Sequence, residues 1–483
     1  MTATAKLRSD KPYLLPAYTP LTEPPLLFSP EDQHSIEVHP LKGLLTYGPF
    51  SRNQIGAVPS PIRVATIAPA GSTGMIVKLL RELEMRHQPR ERKAYLPEFI
   101  GFTKTFGVGI VHAGGNVRLE LNNSLDSDIA SSAQPHEILA RAVLECVNVL
   151  RATRNDFDVV FLYLPDRWQR AFELREGEGF DLHDFLKAHT ASLGIPLQVI
   201  NDRKTGALTY FCRCSVAWRL SIALYCKAGG IPWTMADVET ETAYIGLSYA
   251  LRNSEQAGTR FAICCSQVFD AEGAGLDFVA YEAEDVRILG KNPFLSRHQM
   301  LKVMSRSLDI YQRRHSGSKP KKVVVHKNTE FRYEEVEGCL DALATVPDVE
   351  LVHIQQNVSW RGIYVPQPKN IDGYPVPRGT CMPLSETEAL LWTQGNARLI
   401  AGGNNYFKEG KGIPEPLLIK RYAGQSDLLS TCRAILALSK MDWNNDGPYD
   451  RLPVTLSYAS TLANIVKRMP HLETRPYPFR LFM

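Results

Sequence analysis

Two kinds of apolar pattern alternate in the first half of the chain and predict alternating strands and helices. Residues 158–165 form a run that is apolar on both faces, as expected of a central strand in a parallel sheet. Leu139, Val143 and Val147 lie one helical turn apart and predict an amphipathic helix before that strand. An earlier strand is predicted at 63–69, with a helix at 71–86 after it. Repetition of helix and strand in this order indicates a Rossmann-like α/β unit with right-handed crossovers.

The pattern changes after Gly229-Gly230-Ile231-Pro232-Trp233, which we interpret as a hinge into a second domain. The predicted strands beyond it lie at 242–247, 261–265, 278–281, 323–327 and 349–355. The predicted helices lie at 296–313, 334–343, 426–438 and 457–468. Consecutive strands, then a helix, a strand and C-terminal helices are typical of an RNase H-like α+β core.

Residues 1–55 are rich in proline and have no sustained helical or alternating period. They are predicted to form an extended arm that lies over a neighbouring surface or along another protein. The predicted organisation is therefore an arm at 1–55, an α/β domain at 56–232 and a second domain at 233–483.

Composition narrows the class of protein only slightly. The chain has 483 residues, 44% hydrophobic and 22% charged, which fits a globular protein with two or three cores and excludes disorder. A net charge of +4 suits a polyanion partner and equally suits many metabolic enzymes. The nine cysteines form no CxxC pair, so reduced thiols are expected and a zinc site is not. Neither a signal-peptide core nor a membrane-spanning run is found, which predicts a cytoplasmic protein.

Four short motifs, weak singly but ordered and spaced together, resemble those of a known family. They are Phe161-Leu-Tyr-Leu-Pro-Asp-Arg-Trp168, Gly194-Ile-Pro-Leu-Gln198, Lys227-Ala-Gly-Gly-Ile-Pro-Trp233 and Leu452-Pro-Val-Thr-Leu-Ser-Tyr-Ala459. The chain from about residue 47 onwards resembles short prokaryotic Argonautes, which carry MID and PIWI domains and lack N and PAZ domains. The resemblance implies a Rossmann-like MID domain at 56–232 followed by an RNase H-like PIWI domain at 233–483.

The resemblance implies a pocket for the 5′-phosphate of a guide strand, formed by His183, Lys187, Gln198 and Lys227. His183 stands where many relatives have tyrosine. Two ammonium groups would neutralise much of the phosphate charge, while imidazole and amide would give directional hydrogen bonds. A simpler alternative is that His183 and Lys187, at i and i+4, form the solvated side of a surface helix.

In Argonautes the terminal carboxylate helps to coordinate a divalent ion at the guide phosphate, which here implies Met483 and Mg²⁺. The alternative is that the apolar end of the chain docks through Phe482 and leaves the carboxylate unused.

Cleaving members of the family need Asp, Glu, Asp and a fourth Asp or His in the PIWI domain. By the resemblance, Ser248, Asn328 and Ser460 occupy three of these places, and Glu272 is the candidate for the glutamate because it lies nearby in the sequence. Hydroxyl and amide groups cannot offset the repulsion between two divalent ions, so the sequence predicts a domain that does not cut.

The predicted function is guide-RNA-directed recognition of invading single-stranded DNA, with the activity residing in another protein. The resemblance implies a heterodimer with an APAZ-containing effector, which bears a sirtuin-like or TIR domain that hydrolyses NAD⁺. Oligomerisation of this heterodimer on activation is a further possibility. Three alternatives stay open: an active guided nuclease, a partner that is a nuclease, and a metabolic α/β enzyme. No GxSxG, HExxH, Walker A or Rossmann fingerprint supports the last of these.

Overall fold

The structure of the chain is a computed structural model. It describes residues 17–90, 93, 95–174, 179–202, 212–237, 239, 241–253, 260–270, 275–283, 286–290, 292–364, 375–397, 412–444, 447–467 and 475–483. At 202, 252–253, 260–269 and 275–276 only the backbone is described.

The described part of the arm contains regular structure. Its elements are β1 (Thr19–Pro20), β2 (Leu26–Leu27), β3 (Ile36–Glu37) and α1 (Pro40–Tyr47). The His39 ring caps α1 by accepting a hydrogen bond from the Lys42 N–H, and Pro40 suits the first helical position because no partner is needed there. The prediction of an arm without a helix is therefore wrong for residues 40–47.

Glu23 ties the arm to the rest of the chain. Its carboxylate lies 3.0 Å from Arg378 Nε and 3.2 Å from Lys440 Nζ, and both cationic side chains are fully buried. Lys440 Nζ also donates to the Pro24 carbonyl at 2.5 Å. The described part of the arm thus packs over a neighbouring surface of its own chain, and contact with another protein stays a prediction.

The first unit is a parallel sheet covered on both faces by helices. Its strands are β4 (Ile62–Pro69), β5 (Ile110–His112), β6 (Arg118–Leu121), β7 (Val159–Pro165), the β8–β9 hairpin (Glu173–Leu174 and Phe180–Asp181) outside the sheet, and β10 (Leu197–Asp202). Its helices are α2 (Thr73–Leu83), α3 (Phe102–Phe106), α4 (Leu125–Ser131), α5 (Pro135–Ala152), α6 (Leu182–Ser192) and α7 (Arg213–Lys227).

The sheet order is β10-β7-β4-β5, with β6 also pairing β4, and every pairing is parallel. All seven residues of β7 are buried, which confirms the prediction of a central strand at 158–165. Leu139, Val143 and Val147 are buried on α5 as predicted.

The second unit is built on a ten-stranded sheet. Its elements are β11 (Thr234–Met235, which pairs with β2), β12 (Thr242–Asn253), β13 (Arg260–Phe269), β14 (Gly275–Ala283), β15 (Val286–Leu289), β16 (Asn292–Leu295), α8 (Arg297–Arg314), β17 (Lys322–Lys327), α9 (Tyr333–Ala342), β18 (Asp348–Gln355), β19 (Thr380–Pro383), β20 (Glu388–Leu391), β21 (Leu417–Ala423), α10 (Leu428–Leu438), α11 (Val454–Val466) and β22 (Tyr477–Pro478).

The centre of this sheet has the order β18-β17-β12-β13-β14, with β12, β17 and β18 parallel and β13 antiparallel to its neighbours. Ile245, Val323 and Val325 share a core with α8 and α9 on one face. α11 covers the other face and approaches closely at Gly246, where an added Cβ would lie 2.0 Å from the Thr455 carbonyl oxygen. The strand predicted from Val323 is confirmed as β17, buried between two parallel neighbours.

The two units meet through α6 and α11. Ala188 and Ala191 of α6 share an apolar core with Leu462 of α11 and with Phe482. Among the helices that the structure describes, none combines the length and apolar character needed to cross a bilayer.

Candidate functional site

Helix α6 carries Lys187 into the junction between the two units. The helix begins at Asp181, whose carboxylate caps it by accepting a hydrogen bond from the Asp184 N–H at 2.9 Å. Lys187 is only 1% exposed. Its ammonium group donates to the Leu197 carbonyl at 2.7 Å and to the main-chain oxygen of Met483, the last residue of the given sequence.

Lys227 reaches the same place from the end of α7. Its side chain is buried, and its ammonium group donates to Gln198 Oε1 at 2.8 Å. Burial lowers the pKa of Lys227 to about 8. Burial, together with the nearby charge of Lys227, holds the pKa of Lys187 well below its usual value. The two amino groups are therefore neighbours, and the charge of Lys227 disfavours that of Lys187.

No carboxylate side chain within the described ranges lies within 4 Å of either ammonium group, the distance that defines an ion pair here. The acceptors are two main-chain oxygens and one amide oxygen. A buried charge without a counter-charge is costly. An anion bound between these lysines would reduce that cost, so the cluster of Lys187, Lys227 and Gln198, which we call the lysine pocket, is suited chemically to a phosphate or a carboxylate.

The structure does not bring His183 into this pocket. Its side chain is 53% exposed and its Nδ1 lies 3.3 Å from Asp184 Oδ1. The ligand atoms of Asp181, His183 and Asp184 all lie within 4.8 Å of one another, so the imidazole has acidic surroundings that repel a phosphate. His183 and Lys187 lie one turn apart on the same helix, as predicted, but the His183 side chain is solvated and the Lys187 side chain is buried.

The C-terminal segment docks through Phe482, as one of the two alternatives predicted, and its last residue contacts Lys187, while coordination of an ion by Met483 stays a prediction. Phe482 is buried and meets the Phe278 ring edge to face at 4.5 Å, while Met483 accepts the hydrogen bond from Lys187. Docking of the apolar end is therefore what places the Met483 oxygen at the ammonium group.

Sequence reasoning missed Arg480, which lies beside the turn that follows Lys227. An added Cβ at Gly229 (φ +113°) would be 3.0 Å from Arg480 Nη1 and 2.7 Å from the Ala57 carbonyl oxygen. The positive φ and this close approach together explain the glycine. Arg480 adds a third cation to this side of the junction. The sequence feature that could have identified Arg480 is a basic residue within a C-terminal segment that was expected to dock between the two units.

The three positions predicted to lack carboxylates lie at one level of the second sheet, beside its central strands β12 and β17. Ser248 of β12 and Ser460 of α11 have their hydroxyl oxygens 3.3 Å apart. Leu247 and Lys327 are Cα partners on parallel strands, so Asn328 follows β17 at the level of Ser248. Neutral hydroxyl and amide groups are a poor ligand set for two divalent ions. Glu272 lies outside the described residues.

A buried ion pair stands next to Asn328 and was not predicted. Lys327 and Glu335 are fully buried, with Nζ and Oε2 2.5 Å apart. The ammonium group also lies 4.9 Å from the centre of the Phe294 ring, and Glu335 accepts from the Arg332 N–H at 3.0 Å. This pair fixes the loop between β17 and α9, which carries Asn328.

Comparison with solved structures shows the fold of Argonautes. A structure of Clostridium butyricum Argonaute bound to a guide DNA and a 19-mer target DNA matches with a TM-score of 0.63 at 18% identity. It covers 97% of this chain and 55% of that one. A structure of Aquifex aeolicus Argonaute matches with a TM-score of 0.58 at 16% identity, over 97% of this chain and 57% of that one.

This chain thus spans little more than half the length of the Argonautes that it matches. The predicted fold class, a Rossmann-like unit followed by an RNase H-like unit, is confirmed. No protein-family model matches the sequence, and no curated protein does.

Proposed function

We propose that this chain binds the 5′-phosphate of a guide RNA and uses the guide to recognise complementary single-stranded DNA. The observation that carries the proposal is the pair of buried lysines, Lys187 and Lys227, with no carboxylate side chain within ion-pair distance among the described residues. Base pairing would supply sequence specificity, while the protein would hold the guide by its backbone and 5′ end.

The phosphate would lie between the two ammonium groups, with Gln198 as an additional hydrogen-bonding partner. A phosphomonoester carries close to two negative charges at neutral pH, which matches two lysines. Binding would raise both lysine pKa values towards normal, because each ammonium group would gain a counter-charge. His183, exposed and beside Asp184, would contribute little.

A Mg²⁺ ion fits this pocket only together with the phosphate. Lys187 contacts the Met483 main-chain oxygen and would repel a cation bound there alone. With the phosphate present, the Met483 carboxylate and phosphate oxygens would together hold the ion, and it would add further charge neutralisation. Titration of guide binding with EDTA and then Mg²⁺ tests this part of the proposal.

We further propose that the chain does not cut its target. Ser248, Asn328 and Ser460 support this, because they offer no negative charge to a pair of metal ions. The competing function is an active guided nuclease. Guide-dependent cleavage in Mg²⁺ or Mn²⁺ by a preparation free of any partner nuclease would establish that competitor and refute ours.

A binding protein that does not cut needs a partner that responds to the bound state, since coupling requires differential contacts in two states. We therefore propose a heterodimer with an APAZ-containing protein bearing a sirtuin-like or TIR domain. Recognition of plasmid or phage DNA would release its NAD⁺ hydrolysis and halt the infected cell as an immune response. A nuclease in place of the NADase is the alternative effector.

Two experiments test the proposal. The first compares binding of 5′-phosphorylated and 5′-hydroxyl guide RNA, for which we expect a strong preference for the phosphate. The second coexpresses the chain with the protein encoded beside it, adds guide and complementary DNA, and follows NAD⁺. Failure of the proteins to copurify, or unchanged NAD⁺ with no other effector activity, would refute the partner.

A further inference from the structure

A groove of about 340 Å³ lies beside the loop that carries Asn328, and no role has yet been assigned to it. It is formed by the β15–β16 hairpin and the start of α9. Its lining is Arg287, Leu289, Phe294, Leu295, Ser296, Arg332, Tyr333 and Glu334. Arg332 follows Asn328 by four residues, so the groove lies within about 14 Å of it.

Two arginines flank the Phe294 ring in this groove. Arg287 and Phe294 are Cα partners across the hairpin, which places their side chains on one face. The Arg332 guanidinium lies over the same ring, 4.8 Å from its centre. Stacking holds a planar guanidinium in place while leaving its N–H edge free to donate. The groove therefore offers one guanidinium group held over a ring, that of Arg332, and a second, exposed one, that of Arg287, on the facing hairpin.

The charges of the groove favour an anion. Most of the other charged groups around the groove have partners. Glu335 binds Lys327. Glu337 and Asp341 bind Arg297 at 3.3 and 2.6 Å. Neither Arg287 nor Arg332 forms an ion pair with any residue in the described ranges. Glu334 is the acidic residue of the lining, so the groove keeps one net positive charge.

Tyr333 supplies a flat apolar surface next to these arginines. Its side chain is 75% exposed, and the Glu337 carboxylate one helical turn on raises the pKa of its hydroxyl. An exposed aromatic ring beside a basic groove is the usual arrangement for unpaired nucleotides, because a base stacks on the ring while cations contact the phosphates. The volume is at the lower end of ligand pockets, which suits a single nucleotide.

We propose that this groove binds an unpaired segment of nucleic acid, with a phosphate between Arg287 and Arg332 and a base stacked on Tyr333. The inference rests on the proposed function, since it extends the nucleic-acid surface from the lysine pocket to the loop that carries Asn328. A single strand is favoured over a duplex because stacked base pairs leave no free face for Tyr333.

The test uses fluorescent 5′-hydroxyl oligothymidylate, which lacks the phosphate expected in the lysine pocket. Binding to the full chain is measured by anisotropy over a range of salt concentrations. Arg287→Ala and Arg332→Ala should each reduce the slope of log affinity against log salt by about 0.7. Tyr333→Ala should weaken binding about 5- to 100-fold without changing the slope. Arg332→Lys, which keeps the charge, should restore the slope.

Arg141→Ala is the matched control, because Arg141 is an exposed arginine on α5 in the other unit. It should bind as the parent does. Unchanged slopes in both alanine variants, unchanged affinity in Tyr333→Ala, or no binding by the parent would overturn the proposal. If the parent bound 5′-phosphorylated and 5′-hydroxyl guides equally well, the proposed function would be refuted. The measurement on the groove could still be interpreted in that case.

Discussion

Among the residues that the structure describes, the buried lysines and arginine fall into two groups that differ in their partners. Lys327, Arg378 and Lys440 each lie 2.5–3.2 Å from a carboxylate, Glu335 for the first and Glu23 for the other two. Lys187 and Lys227 have main-chain and amide oxygens as acceptors, and no carboxylate side chain of a described residue lies within ion-pair distance of them. Burial lowers the pKa of Lys440 to about 8 as well, so the partners rather than the pKa mark the difference.

The cations of the first group are structural, whereas those of the second group are the ones that we propose to bind an anionic ligand. A buried ion pair is complete within the protein, and removing one member leaves the other unpaired. A buried cation without a carboxylate side chain as partner destabilises the ligand-free protein, and an anionic ligand would reduce that penalty. The site of Ser248 and Ser460 is a third case, because its hydroxyl groups satisfy each other and hold no charge at all.

The largest expected effect is on guide affinity. Lys187→Ala combined with Lys227→Ala should weaken binding of a 5′-phosphorylated guide by roughly 10²- to 10⁴-fold, since each charged hydrogen bond contributes about 1.5 to 3 kcal/mol. Filter binding or anisotropy with phosphorylated and hydroxyl guides measures it. Lys78→Ala, on the exposed face of α2, is the control. A double variant that still prefers the phosphate as the parent does would contradict the pocket.

The second prediction concerns stability, because removing the buried Lys227 should raise the free energy of unfolding of the guide-free protein. The pKa of Lys227 in the folded protein is about 8, below the usual value of about 10.4, so the unfolded chain binds more protons between these pH values. The free energy of unfolding should therefore rise as the pH increases from about 8 to 10.4, and the penalty is fully present below pH 8.

Lys227→Met removes this penalty and should stabilise the guide-free protein at pH 7 by about 1 to 3 kcal/mol, with most of the gain lost near pH 10. Urea unfolding of parent and variant at both pH values measures it. Lys327→Met should instead destabilise, because Glu335 would be left buried and unpaired. The comparison between the two groups of cations fails if both variants shift stability in the same direction.

A smaller effect is expected at Ser248 and Ser460 in the second unit. Ser248→Asp combined with Ser460→Asp places two carboxylates where the hydroxyl oxygens are 3.3 Å apart, and should destabilise the protein by about 2 kcal/mol without metal. Mn²⁺ should recover much of this loss in thermal unfolding, because a cation bound to the folded state stabilises it. The double Asn variant should show no response, and a parent stabilised equally by Mn²⁺ would contradict the interpretation.

The smallest effect is predicted for His183. Because the imidazole is exposed and beside Asp184, His183→Ala should change guide affinity by less than about threefold. The same binding assay measures it. A loss close to that of a lysine variant would mean that His183 turns into the pocket when the guide binds.

The sequence predicted the elements because burial leaves a regular pattern. A strand buried on both faces reads as a continuous apolar run, as at 159–165, and a helix covering a sheet repeats its apolar residues once per turn. The helix at 40–47 was missed because the prolines around it suggested an extended chain, whereas Pro40 in fact opens the helix.

By itself, the sequence determined the fold class, since apolar runs and helical spacing are local properties. Its resemblance to Argonautes singled out Lys187 and Lys227, and the uncharged Ser248, Asn328 and Ser460, as candidates. Only the tertiary structure decided which of two side chains on one helix face is buried. Lys187 is covered by the C-terminal segment, 296 positions away in the chain, while His183 one turn earlier stays in solvent. It likewise decided which buried cations find a carboxylate. Contacts between residues so far apart in sequence leave no periodic signal, because they depend on how the two units pack.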